Sequence, residues 1–389
     1  MTYVPLPIFL SMDKVFVAEC RSYSPAEVYR ATAALFEALD CRHLFRSGEK
    51  VLIKPNFLIP SGDDQPITTH SQVILALSSL LLDCGCRVAV GDSPGMGSLS
   101  ACIARKGLAE HLGRLGVSIV EFTGPVSLPL PGGRMVKRVP VAKEILEFDA
   151  VISAAKLKTH CQCYFTGSVK NLYGCLPGIL KPEYHMRFAG REHFSLFLLD
   201  VHDVIKPRLG FIDGVVGMDG EGPSGGRAKS AGFLAASTDC PALDITAMKL
   251  VSLNPALTIY LQERLTRGGC ETVKFGKVGS VVFEPPMQMS SISSTVPLPN
   301  QLKKIVKFFA VPIPVFAKPP VCKMCGNCRK ICPGQPKAIV MGKRGVIFKR
   351  AYCIYCYCCH EMCPHKAIRF SRPVLMRLWR RIKVPHLRI

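Results

Sequence analysis

Two cysteine runs near the C-terminus constrain this 389-residue chain more than any other feature of it. Cys322, Cys325 and Cys328 lead to Cys332-Pro333, and Cys353, Cys356 and Cys359 lead to Cys363-Pro364. Both runs read C-x2-C-x2-C-x3-C-P, the spacing of the thiolates that hold a pair of [4Fe–4S] clusters. A cubane needs four soft sulfur donors converging on its iron corners, and a tight loop with cysteine at every third position supplies three. The fourth donor then crosses over from the other run. The spacing therefore predicts one cluster on Cys322, Cys325, Cys328 and Cys363, and a second on Cys353, Cys356, Cys359 and Cys332. A zinc ribbon or free thiols are the competing readings. Two complete runs, each closed by Cys-Pro and each followed by an Ala-Ile pair (Ala338-Ile339, Ala367-Ile368), weigh against both.

Such thiols need a reducing interior, so the expected setting is the cytoplasm, and an anaerobe, rather than a secreted disulfide protein. Of 19 cysteines, eight are used by the two runs. Cys20, Cys41, Cys84, Cys86, Cys102, Cys240 and Cys270 are scattered, as small buried apolar residues are. The N-terminal stretch has no basic region before its short apolar segment and no small-residue cleavage site. No segment reaches the roughly 18 uninterrupted apolar residues of a membrane span. The nearest, Val73 to Leu82, is interrupted by Ser78 and Ser79 and reads as a buried helix. The net charge of +22 is concentrated in one place: residues 301–389 carry 20 Lys and Arg against a single acid, Glu361. Part of that charge can offset clusters that are themselves anionic; the rest must face solvent or a partner.

Residues 1–285 alternate strand-like and helix-like stretches. Strands are expected at Lys14–Glu19, Val51–Pro55, Arg87–Gly91, Val117–Phe122, Ala150–Ala155, Gly210–Val216 and Phe233–Ser237. Helices are expected from Ser24 to about Leu44 (with Ser24 and Glu27 as a capping box), over Ser71–Leu82, from Ser98 to Leu115 and over Ala242–Leu253. This rhythm predicts an α/β fold, a mostly parallel sheet with helices on both faces, followed by a small C-terminal α+β two-cluster module. The expected division is 1–285 for the α/β domain, 286–317 for a linker with a short basic helix (Leu302–Phe309), 318–371 for the cysteine module, and 372–389 for a basic amphipathic tail. The tail segment Val374–Lys383 reads either as a docked terminal helix or as one lying on an anionic membrane surface.

Polar groups of the α/β domain gather where strands end, the usual ligand-binding edge of an open α/β sheet. Lys54-Pro55-Asn56 closes one strand, and Thr68-Thr69-His70 opens a helix. Gly91-Asp92-Ser93-Pro94-Gly95 offers a turn whose amides could meet an anion. Lys156-Leu157-Lys158-Thr159-His160 follows Ala150–Ala155, with Lys170-Asn171, His185 and His193 beyond it. Asp213-Gly214 precedes the glycine-rich loop Gly217–Gly226. A lone lysine is usually a surface group, but four beside strand ends or Gly/Asn turns suggest a site for carboxylate or phosphate, and a buried one can act in acid–base chemistry. The set with candidate catalytic roles is Lys156, Lys158, His160 and Lys170. The set for holding substrate or cofactor is Lys54, Asn56, Asp92, Asn171 and Asp213. His160-Cys161-Gln162-Cys163 is an incomplete metal set on its own.

VLIKPNFL (51–58), GDSPG (91–95), KLKTH (156–160), SVKNLYG (168–174) and FIDGVVGMDGEGPSGG (211–226) resemble, in order, the prokaryotic domain of unknown function 362. The resemblance spans roughly residues 14–285. It implies that Lys54, Asn56, Asp92, Lys156, Lys158, His160, Lys170, Asn171 and Asp213 belong to one site, and it implies fusion to a bacterial-type 2[4Fe–4S] ferredoxin. It names no substrate. Two departures from the ferredoxin pattern stand out. Cys358 inserts an extra thiol, expected to be a bystander because Cys359 keeps the spacing, and Gly334-Gln335-Pro336 lengthens the turn after Cys332.

Two classes of function follow. In one, an oxidoreductase takes electrons through the cysteine module to a reaction on an anionic substrate or cofactor in the α/β domain. In the other, the chain is a non-catalytic electron carrier or adaptor that docks on an acidic redox partner or at a membrane periphery. Whether a flavin is required is left open, as no flavin or nicotinamide fingerprint is visible: GDSPGMG is not G-x-G-x-x-G. Nucleic acid is disfavoured as a partner, because the basic region lacks a binding motif and interleaved aromatics.

Overall fold

The computed structural model describes residues 14–286 and 312–371, apart from 179, 189 and 344. The expected linker helix at Leu302–Phe309 and the tail Val374–Lys383 lie outside the described residues. Eleven strands build the larger part: β1 (Lys14–Glu19), β2 (Lys50–Pro55), β3 (Arg87–Asp92), β4 (Ser118–Glu121), β5 (Pro125–Pro129), β6 (Arg138–Ala142), β7 (Ala150–His160), β8 (Tyr164–Thr166), β9 (Leu209–Asp219), β10 (Arg227–Ser237) and β11 (Glu271–Phe275). The main sheet runs β11-β1-β10-β9-β7-β2-β3-β4, with β8 folded back on β7, while β5 and β6 form a separate hairpin. The pairs β9–β7, β7–β2, β2–β3, β3–β4 and β1–β11 are parallel; β10 is antiparallel to both its neighbours. The fold is thus mixed α/β with a mostly parallel central sheet.

The central strands are apolar on both sides because helices cover both sides. Val51 and Ile53 of β2 pack into one layer with Val28, Leu35, Val73, Leu77 and Leu112, from helices on that face. Leu52, one residue out of phase, joins Val151, Phe194, Phe197, Leu243 and Ala247 on the other. The strand period of two sends successive side chains to opposite layers. Each such fully buried Val, Leu or Ile contributes about 1.5–3 kcal/mol of transfer free energy.

The sequence pattern misplaces several boundaries, each for a local reason. The single helix expected over Ser98–Leu115 is two, Leu99–Arg105 and Leu108–Arg114, separated at Gly107 with φ +62°. The helix expected to reach Leu44 ends at Ala38, because Asp40 adopts φ 51° and starts a short turn, Cys41–Leu44. Ser24 makes no side-chain cap; Glu27 instead accepts from the Arg21 amide at 2.5 Å and the Ser22 hydroxyl at 2.5 Å. The largest difference concerns β7. It does not stop at Ala155 but continues to His160, so Lys156, Lys158 and His160 are strand residues, not loop residues.

The cysteine module repeats one unit twice. Each run leads into a short helix (Asn327–Ile331, Cys358–Glu361), and each following Ala-Ile pair enters a strand: Ile339–Gly342 (β13) and Ile368–Phe370 (β15). Pro314–Phe316 (β12) pairs with β15, and Gly345–Phe348 (β14) pairs with β13. The module rests on the C-terminal edge of the sheet. Met362 and Ile331 pack with Ile59, Ile67 and Met218, and the Ser224 hydroxyl donates to the Glu361 carbonyl at 2.8 Å.

Candidate functional site

Between the sheet edge and the cysteine module lies a cavity of about 750 Å³. Strand alternation accounts for much of its lining. Lys156, Lys158 and His160 leave β7 on one face, and β2 ends alongside with Lys54 and Pro55, followed by Asn56. Lys54, Asn56, Asp92, Lys158, His160, Lys170 and Asn171 all line the cavity. Lys156 and Asp213 do not. They form their own buried pair, Nζ to Oδ2 2.9 Å, closed by the Tyr23 hydroxyl 2.6 Å from Nζ and by the His70 amide donating to Asp213 at 2.9 Å.

The lysines that reach the cavity differ in what holds them. Lys54 pairs with Asp92 at 2.7 Å and donates to Asn171 Oδ1 at 3.2 Å and the Pro55 carbonyl at 2.9 Å. Lys158 has no carboxylate; it donates to Asn56 Oδ1 and to the Ile67 carbonyl, both at 2.6 Å. Burial, helped by the charge of Lys170, pushes Lys158 down to about 7. Lys181 donates to the carbonyls of Ser93 and Pro94, and burial brings it to about 7 as well. The Gly91–Gly95 turn therefore offers carbonyls to a lysine rather than amides to an anion. Its Ser93 amide is taken by Asp92 and its Gly95 amide by Leu58.

Lys170 is set apart. It lies on the four-residue helix Ser168–Asn171, whose first amides are held by the Asp244 carboxylate at 2.6 Å (Ser168) and 3.2 Å (Val169). Its ammonium sits 5.6 Å and 5.5 Å from the ring centres of Tyr173 and Phe194. Among the described residues it has no hydrogen-bond or ion-pair partner, although it is only 9% exposed. Among the described residues three other buried atoms of the same cavity lack a hydrogen bond: the Thr166 hydroxyl, His185 Nδ1 and Glu361 Oε1, the last lying only at ion-pair distance from His160. A buried polar atom without a partner calls for an explanation, of which a bound water, ion or ligand is one. Burial pushes His185 down to about 3, so its ring is neutral near pH 7.

Glu361 enters from the module and lies with Oε1 3.1 Å from His160 Nε2. His160 Nδ1 accepts from the Gln162 and Cys163 amides at 3.1 and 3.2 Å, so the ring proton faces Glu361. Burial and Lys170 bring His160 to about 4. Burial alone would raise the Glu361 carboxyl, but His160, Lys170 and His185 outweigh it and hold the group well below the usual range.

Cys332 and Cys358 line the same cavity. All the cysteines are free of disulfides. Burial pushes the Cys328 and Cys353 thiols up to about 11, with Cys363, Cys322 and Cys325 acting on the first and Cys356 and Cys332 on the second. Three sulfurs on one zinc, each about 2.3 Å from it, would lie within about 4 Å of one another. Among the described residues no three of the eight cysteines in the two runs gather within 4.8 Å. As placed, the thiols of the two runs do not converge on a single ion.

A protein-family model described as a domain of unknown function (DUF362) matches residues 51–249, about half of the chain. The chain belongs to this family. The matched span holds every α/β-domain residue that lines the cavity. A thylakoid-associated protein of Synechocystis sp. is 33% identical over 259 residues, 65% of this chain and 80% of that protein. Among solved structures, the lactate racemase apoprotein from Thermoanaerobacterium thermosaccharolyticum superposes with a TM-score of 0.40 at 14% identity, covering 61% of this chain and 57% of that one. The chain thus spans less than two thirds of the racemase, a likeness too distant to bear on activity.

Thr166, Lys181 and Glu361 were not legible as site residues from the motifs. Glu361 had one signal: it is the sole acid among residues 301–389, and a lone carboxylate in so basic a segment invites a buried role. Thr166 and Lys181 had none, since their place depends on how β8 and the helix Leu180–Arg187 fold over the sheet edge.

Proposed function

We propose that this chain is an iron–sulfur redox protein acting on an anionic small molecule or cofactor held in the cavity between its two parts. In this reading Cys322, Cys325, Cys328 and Cys363 hold one [4Fe–4S] cluster, and Cys353, Cys356, Cys359 and Cys332 the other. Such clusters, when bound, supply electrons one at a time. The carrying observation is that a single cavity is lined both by buried basic groups of the sheet domain and by Cys332 of the cysteine module. Lys170, the Thr166 hydroxyl and His185 Nδ1 would bind the negative group, because each is buried there without a partner. Lys158 and Lys181, both brought to about 7, can hold or give up a proton near neutrality. The module supplies one wall of the cavity through Cys332, Cys358 and Glu361.

Anaerobic purification tests the first half. About eight irons per chain are expected, and a content near four would contradict two clusters. Native mass spectrometry of the same preparation tests the second. The wild type should retain a small anion, and Lys170→Met, at equal iron content, should lose at least about tenfold in its affinity. Equal retention by the variant would remove Lys170 from the site.

A second reading, an electron carrier or adaptor, is favoured by the outer surface of the module. Cys325 is exposed, and Lys318, Lys323 and Arg329, close to it in the chain, are exposed too. Those charges suit an acidic redox partner. The thylakoid association named for the Synechocystis relative adds a membrane periphery as a setting, beside the cytoplasm. No described helix is long and apolar enough to cross a membrane.

A further inference from the structure

Away from the lysines, a second group of donors meets across the junction of sheet domain and module. Cys161 sits in the turn between β7 and β8, Glu221 in the loop after β9, and His360 in the module's second short helix. One donor atom from each, the Cys161 sulfur, a Glu221 carboxylate oxygen and an imidazole nitrogen of His360, all lie within 4.8 Å of one another. Cys161 and His360 are buried and Glu221 is half-buried. We propose that Cys161, Glu221 and His360 bind a divalent cation of the zinc class that pins the cysteine module to the sheet domain.

The imidazole of His360 carries the argument. Nδ1 lies 2.9 Å from the Ile368 carbonyl and Nε2 lies 3.0 Å from the Glu221 carbonyl. A neutral ring has one N–H, so it can satisfy only one of two acceptors. With the proton on Nδ1, donated to Ile368, Nε2 turns a lone pair toward the Glu221 backbone carbonyl oxygen, an opposition that a cation between them relieves. A metal-binding histidine has this arrangement: one nitrogen on the ion, the other N–H anchored on a backbone carbonyl. The Cys161 sulfur lies 3.9 Å from Glu221 Oε2, so thiol and carboxylate face the same point.

The donor set also selects the ion. One sulfur, one imidazole nitrogen and one carboxylate oxygen suit zinc, with a further oxygen completing a tetrahedron. Calcium and magnesium call for oxygen cages. A thiolate and a carboxylate together cancel the charge of a divalent ion, so the filled site is neutral and compatible with burial. Backbone contacts already hold the donors in place: the Cys161 amide donates to the Gly222 carbonyl at 3.0 Å. The loop comes this close because Gly225 lacks a side chain; a Cβ there would sit 2.5 Å from His360 Cε1. None of the three ligands belongs to the eight cysteines of the two runs.

The test uses the full chain, purified anaerobically with its iron, loaded with zinc and freed of excess by gel filtration. Close to one zinc per chain is expected beyond the iron, with a zinc K-edge spectrum showing a mixed shell of sulfur with nitrogen and oxygen. Cys161→Ser and Glu221→Gln should each weaken zinc retention at least about tenfold while leaving the iron content unchanged. Cys84→Ser, remote from the site, should retain it. No zinc on the wild-type chain, or retention unaffected by both ligand variants, would overturn the proposal. So would an all-sulfur shell, which would put the zinc on the cluster cysteines. The wild-type spectrum decides the point even if a variant folds poorly, and the iron content reports on the two-cluster reading separately.

Discussion

Lys156 and Lys158 stand two residues apart on one strand, both buried, yet among the described residues only Lys156 has a carboxylate at ion-pair distance. Lys156 meets Asp213 and Tyr23, whereas Lys158 meets an amide oxygen and a backbone carbonyl. Without a carboxylate at ion-pair distance among the described residues, Lys158 is brought by burial to about 7, as Lys181 is. Its folded value is about 7 against 10.5 when free, so between those values the unfolded chain binds more protons than the native one. Its contribution to stability therefore rises with pH across that window, while below about 7 the full cost of burying a charge remains. Anion affinity runs the other way, because the charge that attracts the ligand is lost as pH rises through about 7. Calorimetry of anion binding in buffers of different ionisation enthalpy should show proton uptake around pH 7 to 8, and Lys158→Met should lower it by about half, leaving the share of Lys181. Binding that is flat with pH in the wild type would contradict this role. The neighbouring charges of Lys170, Lys156, Glu361 and Asp92 all act on this lysine, and Lys181 contributes in the same direction.

At the scale of elements, the site depends on short pieces that could not stand alone. A four-residue helix has no stability of its own. Ser168–Asn171 persists because Asp244 takes its free amides, and it presents Lys170 and Asn171 to the cavity. The turn that follows passes close to the Lys54–Asp92 pair at Gly174, where a Cβ would lie 2.4 Å from Asp92 Oδ1 and 2.5 Å from Lys54 Nζ. Gly174→Ala must therefore displace a buried ion pair. Chemical denaturation should show a loss of about 1–3 kcal/mol, the usual cost of overpacking, together with weaker anion binding. Unchanged stability and binding would show that the turn can move aside at no cost. The motif SVKNLYG was visible as a string, but its role was not: nothing local says that Gly174 is needed to clear a pair 80 and 120 residues earlier in the chain.

For the whole molecule, charge and position set the two parts in relation to each other. Lys318, Lys323 and Arg329 near Cys325 are exposed and lie outside the cavity lining, while Cys332, Cys358 and Glu361 face the cavity. Docking of an acidic electron-transfer partner on those basic residues should weaken steeply with salt, because screening shortens from about 10 Å at 0.1 M to about 3 Å at 1 M. Surface-binding measurements over that range would check it; affinity indifferent to salt would exclude an electrostatic dock. By itself the sequence determined the repeated cysteine spacing, the α/β alternation, the uneven charge and most of the lysines, because these are local patterns of one or a few residues. Only the tertiary structure decided that β7 runs on to His160, that Lys156 and Asp213 pair apart from the cavity, and that Thr166, Lys181 and Glu361 join it. Those facts arise where separate segments meet: a strand's length is fixed by the neighbours it hydrogen-bonds, and a buried charge by whichever distant group reaches it. The same holds for Cys161, Glu221 and His360, three residues with no common motif that the docking of one part on the other brings within reach of a single ion.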